Sequence, residues 1–374
     1  MVEHIKPLTS LRGIGALLIL MLHFLYYFTR QLGQVIQSQT QFFFNGYLWV
    51  DFFFIMSGFV LTHVYVRTFS QEVTSKSYRS FIVARFARVY PLHFFMILPF
   101  LALEILRLFI PGTQPFTHTR SFIGLCTNLF MLQAIDLKSP PLFGGLTYWN
   151  EPAWSISAEF FVYLILPFIL LFIWKRKSGF DLSFFCIGLV SLFAVVILLK
   201  GHLDFIGLPS LWRCFIEASF GVITYKIYYK LNERRELKQF LNSNLALLIC
   251  GVWIFLVMHY NWNDVLVLPG FCLLILVASV RNNSKKGWVS QGLNSNTLVY
   301  LGEISYSIYL THWFIQNFTG QVMDQVFDIN VGQMGLFQSA IVLMFCLAVT
   351  LIISMQTYQW IEVPCRNYLR RKFR

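Results

Sequence analysis

Hydrophobic residues along this chain come in continuous blocks of about 17 to 25 positions, long enough for a helix to cross the hydrocarbon core of a bilayer. Ten blocks stand out, at approximately 10–29, 47–66, 88–110, 153–173, 182–200, 208–228, 245–260, 265–281, 298–318 and 335–358, the seventh and eighth being the shortest. A membrane β-barrel would instead alternate lipid-facing and lumen-facing residues over short segments, and these blocks do not alternate. The pattern predicts an all-α polytopic membrane protein, with about ten transmembrane helices in one bundle. Residues 1–374 read as a single domain, closed by a short basic tail at 359–374.

Composition agrees, since hydrophobic residues make up 57% of the chain and charged ones 12%, about half the charged share of a soluble domain. The seven cysteines are scattered without CxxC or metal spacing and read as packing residues, so no metal site is expected. The first block has span length and no small-residue cleavage site after it, so it reads as retained rather than as a signal peptide. With ten spans both termini share a side, and 23 of the 29 basic residues fall there. The positive-inside rule then makes both termini cytoplasmic. The same rule accounts for most of the net charge of +12 through orientation and contact with anionic lipid, with no nucleic-acid partner needed.

The candidate chemistry lies in polar residues that apolar helices carry at a cost. Arg12 and His23 occupy the first block, eleven positions apart and therefore on roughly one helix face, about 16 Å apart along the axis. Asp51 opens the second block and Glu159 lies about two turns into the fourth, behind the first-turn proline Pro152. Ser305, Tyr309 and His312 share a face of the ninth. The topology puts His23, Asp51, Glu159 and His312 at similar depth towards the outer face. Arg85 and Arg88, three apart at the cytoplasmic mouth of the third span, suit bidentate binding of phosphate; snorkelling anchors would have the same spacing. Ser57-Gly58 permits close helix approach, and Trp154 suits an interfacial aromatic belt. There is no GxSxG nucleophile elbow. A histidine base held by a carboxylate fits better, because imidazole takes a hydroxyl proton near neutral pH.

Taken in order, Leu11-Arg12 through His23, the Asp51–Phe59 block ending Ser-Gly-Phe, Arg85-Phe-Ala-Arg88 with Tyr90-Pro91, Trp154-Ser155 through Glu159 with Tyr163 and Pro167, and Ser305-Tyr306 with Tyr309-Leu310 and His312 resemble the acyltransferase-3 family of integral-membrane acyltransferases over nearly the whole chain. The resemblance implies transfer of an acyl group, commonly acetyl, from cytoplasmic acyl-CoA to a hydroxyl of a carbohydrate or glycolipid, often a surface polysaccharide. It implies His23 as catalytic histidine, Arg12 as its partner on the first helix, and Arg85 and Arg88 as donor-side arginines. Ser57, Glu159, Tyr309 and His312 match motif positions without settled roles. Some members add an SGNH-type esterase domain; this sequence reads as the stand-alone type.

These readings combine into a membrane O-acyltransferase with no permanently bound cofactor. Acyl-CoA would dock on Arg85, Arg88 and Ser57, His23 would act as general base, Asp51 or Glu159 would hold its other nitrogen, and Trp154, Tyr309 and His312 would lie on the substrate side. The alternative is a secondary transporter or flippase for a small anion or lipid-linked sugar, since buried Arg, His, Asp and Glu also serve proton coupling. The loop 110–149 is long for a connector and reads as a lid or re-entrant segment.

Overall fold

A computed structural model describes residues 3–117, 120–135, 148–198, 201–282 and 287–373. Part of the loop 110–149, and Lys138, Lys200, Lys285, Lys286 and Arg374 from the charge count, lie outside the described residues. The described elements are helical, and each predicted block contains a helix. These are α1 (Lys6–His23), α2 (Trp49–Phe69), α3 (Ser75–Arg107), α4 (Trp154–Trp174), α5 (Ser178–Leu198), α6 (Leu208–Lys230), α7 (Asn244–His259), α8 (Val267–Val280), α9 (Asn296–Glu303), α10 (Ser305–Gln325) and α11 (Leu336–Thr357).

Membrane-crossing length and apolarity belong to fewer helices than ten. Among the described residues six qualify, in Lys6–Tyr26, Gly46–Phe69, Ser75–Arg107, Glu151–Trp174, Ser178–Leu198 and Leu336–Lys372; the pair Arg235–Leu241 and Asn244–His259, bent by 57°, makes a seventh if counted as one span. The helix through Val280 is short, and α6 and α10 carry too many polar residues to qualify. The ninth block is not one helix at all. It breaks at Ile304 into α9 and α10.

Two other boundaries differ from the hydropathy reading. Helix α3 starts at Ser75, where the Thr74 hydroxyl accepts from the Ser77 backbone N–H at 3.2 Å. Arg85 and Arg88 therefore sit about three turns inside a helix that starts before the apolar block does. Beyond α11 a π-helical turn, Tyr358–Glu362, leads into a helix, Val363–Lys372, which carries the basic tail residues Arg366, Arg370, Arg371 and Lys372.

Small residues set the closest approaches. Among the described residues helices α2 and α6 make the most extensive pairing, crossing where Gly58 lies on Ala218 and Gly221 on Ile55 and Gly58 itself. A Cβ on either glycine would strike backbone of the opposite helix, so the small residue is required here. Helices α1 and α9 meet similarly, with Gly13 on Gly302 and Gly302 on the Thr9 carbonyl.

Buried charge fastens the same pair. Arg213 on α6 grips Asp51 on α2 bidentately, Nε to Oδ1 and Nη2 to Oδ2 both at 2.6 Å, with neither side chain exposed. Its third nitrogen donates to the Leu203 carbonyl at 2.5 Å, and Glu217 lies 3.7 Å from its Nε. Two guanidinium edges are thus committed to holding α2, α6 and the 201–207 loop together.

Candidate active site

Three cavities follow one another through the bundle. The first, about 290 Å³, is walled by Glu3, His4, Arg12 and His63. It shares Arg12, Met56 and Val60 with a second of about 150 Å³, which also holds Ser57, Arg85, Arg88, Ser155, Glu159, Tyr163, Tyr306 and Tyr309. The third, about 490 Å³, contains His23 with Tyr26, Gln37, Asn45, Tyr47, Glu151, Trp154, His202 and Asp204. Val50 and Tyr309 line both the second and the third.

The second cavity gathers the donor-side candidates. Arg12 donates through Nε and Nη2 to the Gly302 carbonyl at 3.0 and 2.8 Å. That oxygen lies next to the break between α9 and α10, where helical pairing lapses, and the Gly13–Gly302 contact brings it within reach. Arg85 is ringed by Tyr65, Phe81 and Tyr163 at 5.8, 6.0 and 6.0 Å, and its Nε makes no hydrogen bond among the described residues. Arg88 is ion-paired with Glu362 and stacked on Tyr306 at 5.4 Å. Glu362 is buried and also takes the Ser307 hydroxyl at 3.2 Å, with Arg366 at 3.6 Å. Glu159 is engaged by the hydroxyls of Ser57 and Tyr163, and the charges of Arg85 and Arg88 act on it.

His23 occupies the last position of α1, where a π-helical turn, Phe24–Phe28, takes over; such widened turns often mark functional positions. Its ring stacks on His312 of α10 at 4.9 Å, with its Nδ1 2.8 Å from the His312 Nε2. The other nitrogen of His312 lies 3.1 Å from the Ile308 carbonyl. A carbonyl only accepts, so His312 Nδ1 carries its proton, neutral His312 presents a lone pair at Nε2, and His23 donates to it from Nδ1. The basic lone pair of His23 is thereby assigned to Nε2.

The sequence reading put Asp51 or Glu159 on the second nitrogen of His23. The structure puts His312 there. Asp51 is spent on Arg213, and Glu159 belongs to the cavity with the arginines. Trp154 and Tyr309 line the chamber of His23. Tyr309 is held firmly: its hydroxyl donates to the Pro152 carbonyl at 2.9 Å and lies 2.7 Å from Ser155 Oγ.

Several residues of this region were missed. Arg213 and Glu217 are ionisable groups four apart in an apolar block, the same signal that marks Asp51. Glu104, fully buried on α3, accepts from Arg107 and Arg120 at 3.0 Å each and from the Phe116 backbone at 2.9 Å, tying the start of the long loop to the bundle. Asp264 accepts from Tyr47 at 2.9 Å and from the Leu203 backbone at 2.6 Å, fixing a wall of the His23 chamber. On that wall, enclosure by protein pushes the Asp204 carboxyl above its ordinary range, against the pull of Arg213.

Comparison with known proteins joins this geometry to a chemistry. A family profile described as an acyltransferase domain, Acyl_transf_3, matches residues 6–355. The chain belongs to the acyltransferase-3 family. It is 24% identical to the acyltransferase MdmB of Streptomyces mycarofaciens, over 99% of this chain and 94% of that protein. Protein 2 in the picA locus of Rhizobium radiobacter is 31% identical over 43% of this chain and 79% of its own length. A Staphylococcus aureus protein named for O-acetyltransferase activity is 22% identical over 98% of this chain, which spans 58% of that relative. No solved structure matches the chain. Acyltransferase-3 membership makes this a membrane acyltransferase, and the carrier reading loses its ground.

Proposed function

We propose that this acyltransferase moves an acetyl or similarly short acyl group from cytoplasmic acyl-CoA to a hydroxyl of a carbohydrate or glycolipid, with His23 as general base. The carrying observation is the series of cavities: arginines line one chamber, His23 lines the next, and the two share a wall. In this reading all ten helical segments cross the bacterial inner membrane with both termini cytoplasmic. Helix α6 can cross because Arg213 and Glu217 are buried side by side and Lys226 is bound to Asp181 at 2.8 Å. Helix α10 can cross because its polar residues Ser305, Ser307, Tyr309, Thr311 and His312 are buried inside the bundle.

Acyl-CoA approaches from the side of the termini. Arg85 supplies a guanidinium with an unsatisfied edge for its phosphates, Arg12 and Arg88 add charge nearby, and Ser57 faces the same chamber. The acceptor enters the chamber of His23, where Tyr26, Tyr47 and Trp154 offer rings to a sugar, with Gln37, Asn45 and Glu151 as hydrogen-bonding groups. The acceptor oxygen attacks the thioester carbonyl carbon as its proton passes to His23 Nε2. A C–O bond forms, the C–S bond breaks, and the proton goes on to the departing thiolate, leaving an ester and free CoA.

Purified protein given labelled acetyl-CoA and a panel of surface glycans is expected to yield labelled glycan without any ion gradient. His23→Ala should abolish the label at normal protein abundance. Turnover retained by that variant would refute the role of His23.

A further inference from the structure

Val50 and Tyr309 are the two side chains common to the arginine-lined and His23-lined cavities. Resting on the acyl-CoA reading above, we infer that Val50, backed by the rings of Phe53 and Tyr309, measures the acyl chain and restricts the enzyme to acetyl and propionyl donors.

If phosphates bind on one side of this wall and the hydroxyl is activated on the other, the thioester carbonyl has to reach the wall itself. The acyl tail then lies against the residues forming it. Those residues have little freedom. Val50 is 5% and Tyr309 6% exposed; a β-branched side chain on a helix keeps essentially one rotamer. The Tyr309 hydroxyl is tied to Pro152 and Ser155. The Phe53 ring stands edge-on to Tyr309 with centroids 6.5 Å apart, and Phe53 also lines the arginine chamber.

The donor side is also the tight side, about 150 Å³ against about 490 Å³ beyond the wall. A longer tail therefore has to displace packed side chains, which a close-packed interior resists. One methylene in such a pocket changes specificity by roughly 10-fold or more. Replacing Val50 by alanine removes two carbons, the number by which butyryl exceeds acetyl.

The test is a donor panel of acetyl-, propionyl-, butyryl- and octanoyl-CoA with an accepted glycan, read as kcat/KM by ester formation. The wild type should favour acetyl over butyryl by about 30-fold or more, and Val50→Ala should narrow that to about 5-fold or less. Val50→Ile should do the opposite, lowering propionyl relative to acetyl by about 10-fold; it also carries the test should the alanine variant fail to fold. A folded Val50→Ala or Val50→Ile enzyme with the wild-type donor profile overturns the proposal, as does a wild type that uses octanoyl-CoA as well as acetyl-CoA. A wild type that esterifies glycans from no acyl-CoA, but does so from another donor, overturns the underlying reading and the ruler with it.

Discussion

Replacing His312 tests whether one imidazole orients the other. His312→Ala removes the lone pair that accepts from His23 Nδ1 across 2.8 Å, at a site where His312 itself has no exposure. A buried donor left without its partner costs about 1–3 kcal/mol, and if that cost is felt fully in the transition state the reaction slows about 5- to 150-fold. Freed from the Ile308–His312 relay, the His23 ring can also carry its proton on Nε2, the nitrogen that has to be bare. His312→Gln is the informative companion, because its amide oxygen can occupy the place of the lost Nε2. The expected order in kcat is therefore wild type, then His312→Gln, then His312→Ala, with the KM for acetyl-CoA little changed. The assay is initial rates of labelled-ester formation by purified protein, over a range of both substrates. A His312→Ala enzyme within about threefold of wild type in kcat would refute the relay. So would a glutamine variant no better than alanine, provided both run as single peaks on size-exclusion chromatography.

Asp51→Ala should behave as a folding lesion, costing about 3–5 kcal/mol by stranding the buried Arg213. The double change Asp51→Leu with Arg213→Met should recover much of the melting temperature measured in detergent. A stable but inactive Asp51→Ala protein would return Asp51 to the catalytic group. Gly58→Leu should drive α2 from α6, since even a Cβ there meets the Ala218 carbonyl, and lower the yield of monodisperse protein severalfold. An unchanged yield and melting curve would contradict the close crossing.

What could be read in the sequence was whatever a single helix expresses by itself. Continuous apolar blocks locate the long helices, though not the more polar or shorter ones such as Arg30–Gln39, Phe122–Leu129 and Val363–Lys372, and the expense of ionisable groups in such blocks singles out Arg12, His23, Asp51 and Glu159. Partnership is a different matter, because it depends on how helices are rotated and paired. His23 meets His312 across 289 positions of chain and Asp51 meets Arg213 across 162, distances over which no periodicity carries information. The break at Ile304 was hidden because both halves are apolar enough to read as one block. Glu362 was overlooked because it lies just past the last block, in what looked like a charged tail, yet it is buried against Arg88.

On the proposed acyl-CoA reading, the wall formed by Val50 and Tyr309 has a consequence for the cell as well as for the substrate. An enzyme working on both faces of a membrane risks becoming a leak, since any passage wide enough for a cofactor would also admit protons and ions. Here an aliphatic side chain and a tethered phenol stand between the two vestibules. Only a fragment the size of an acyl group has to pass them. On the proposed reading both reactants would come and go by the doors they entered, and the wall would spare the proton-motive force without requiring the bundle to rock.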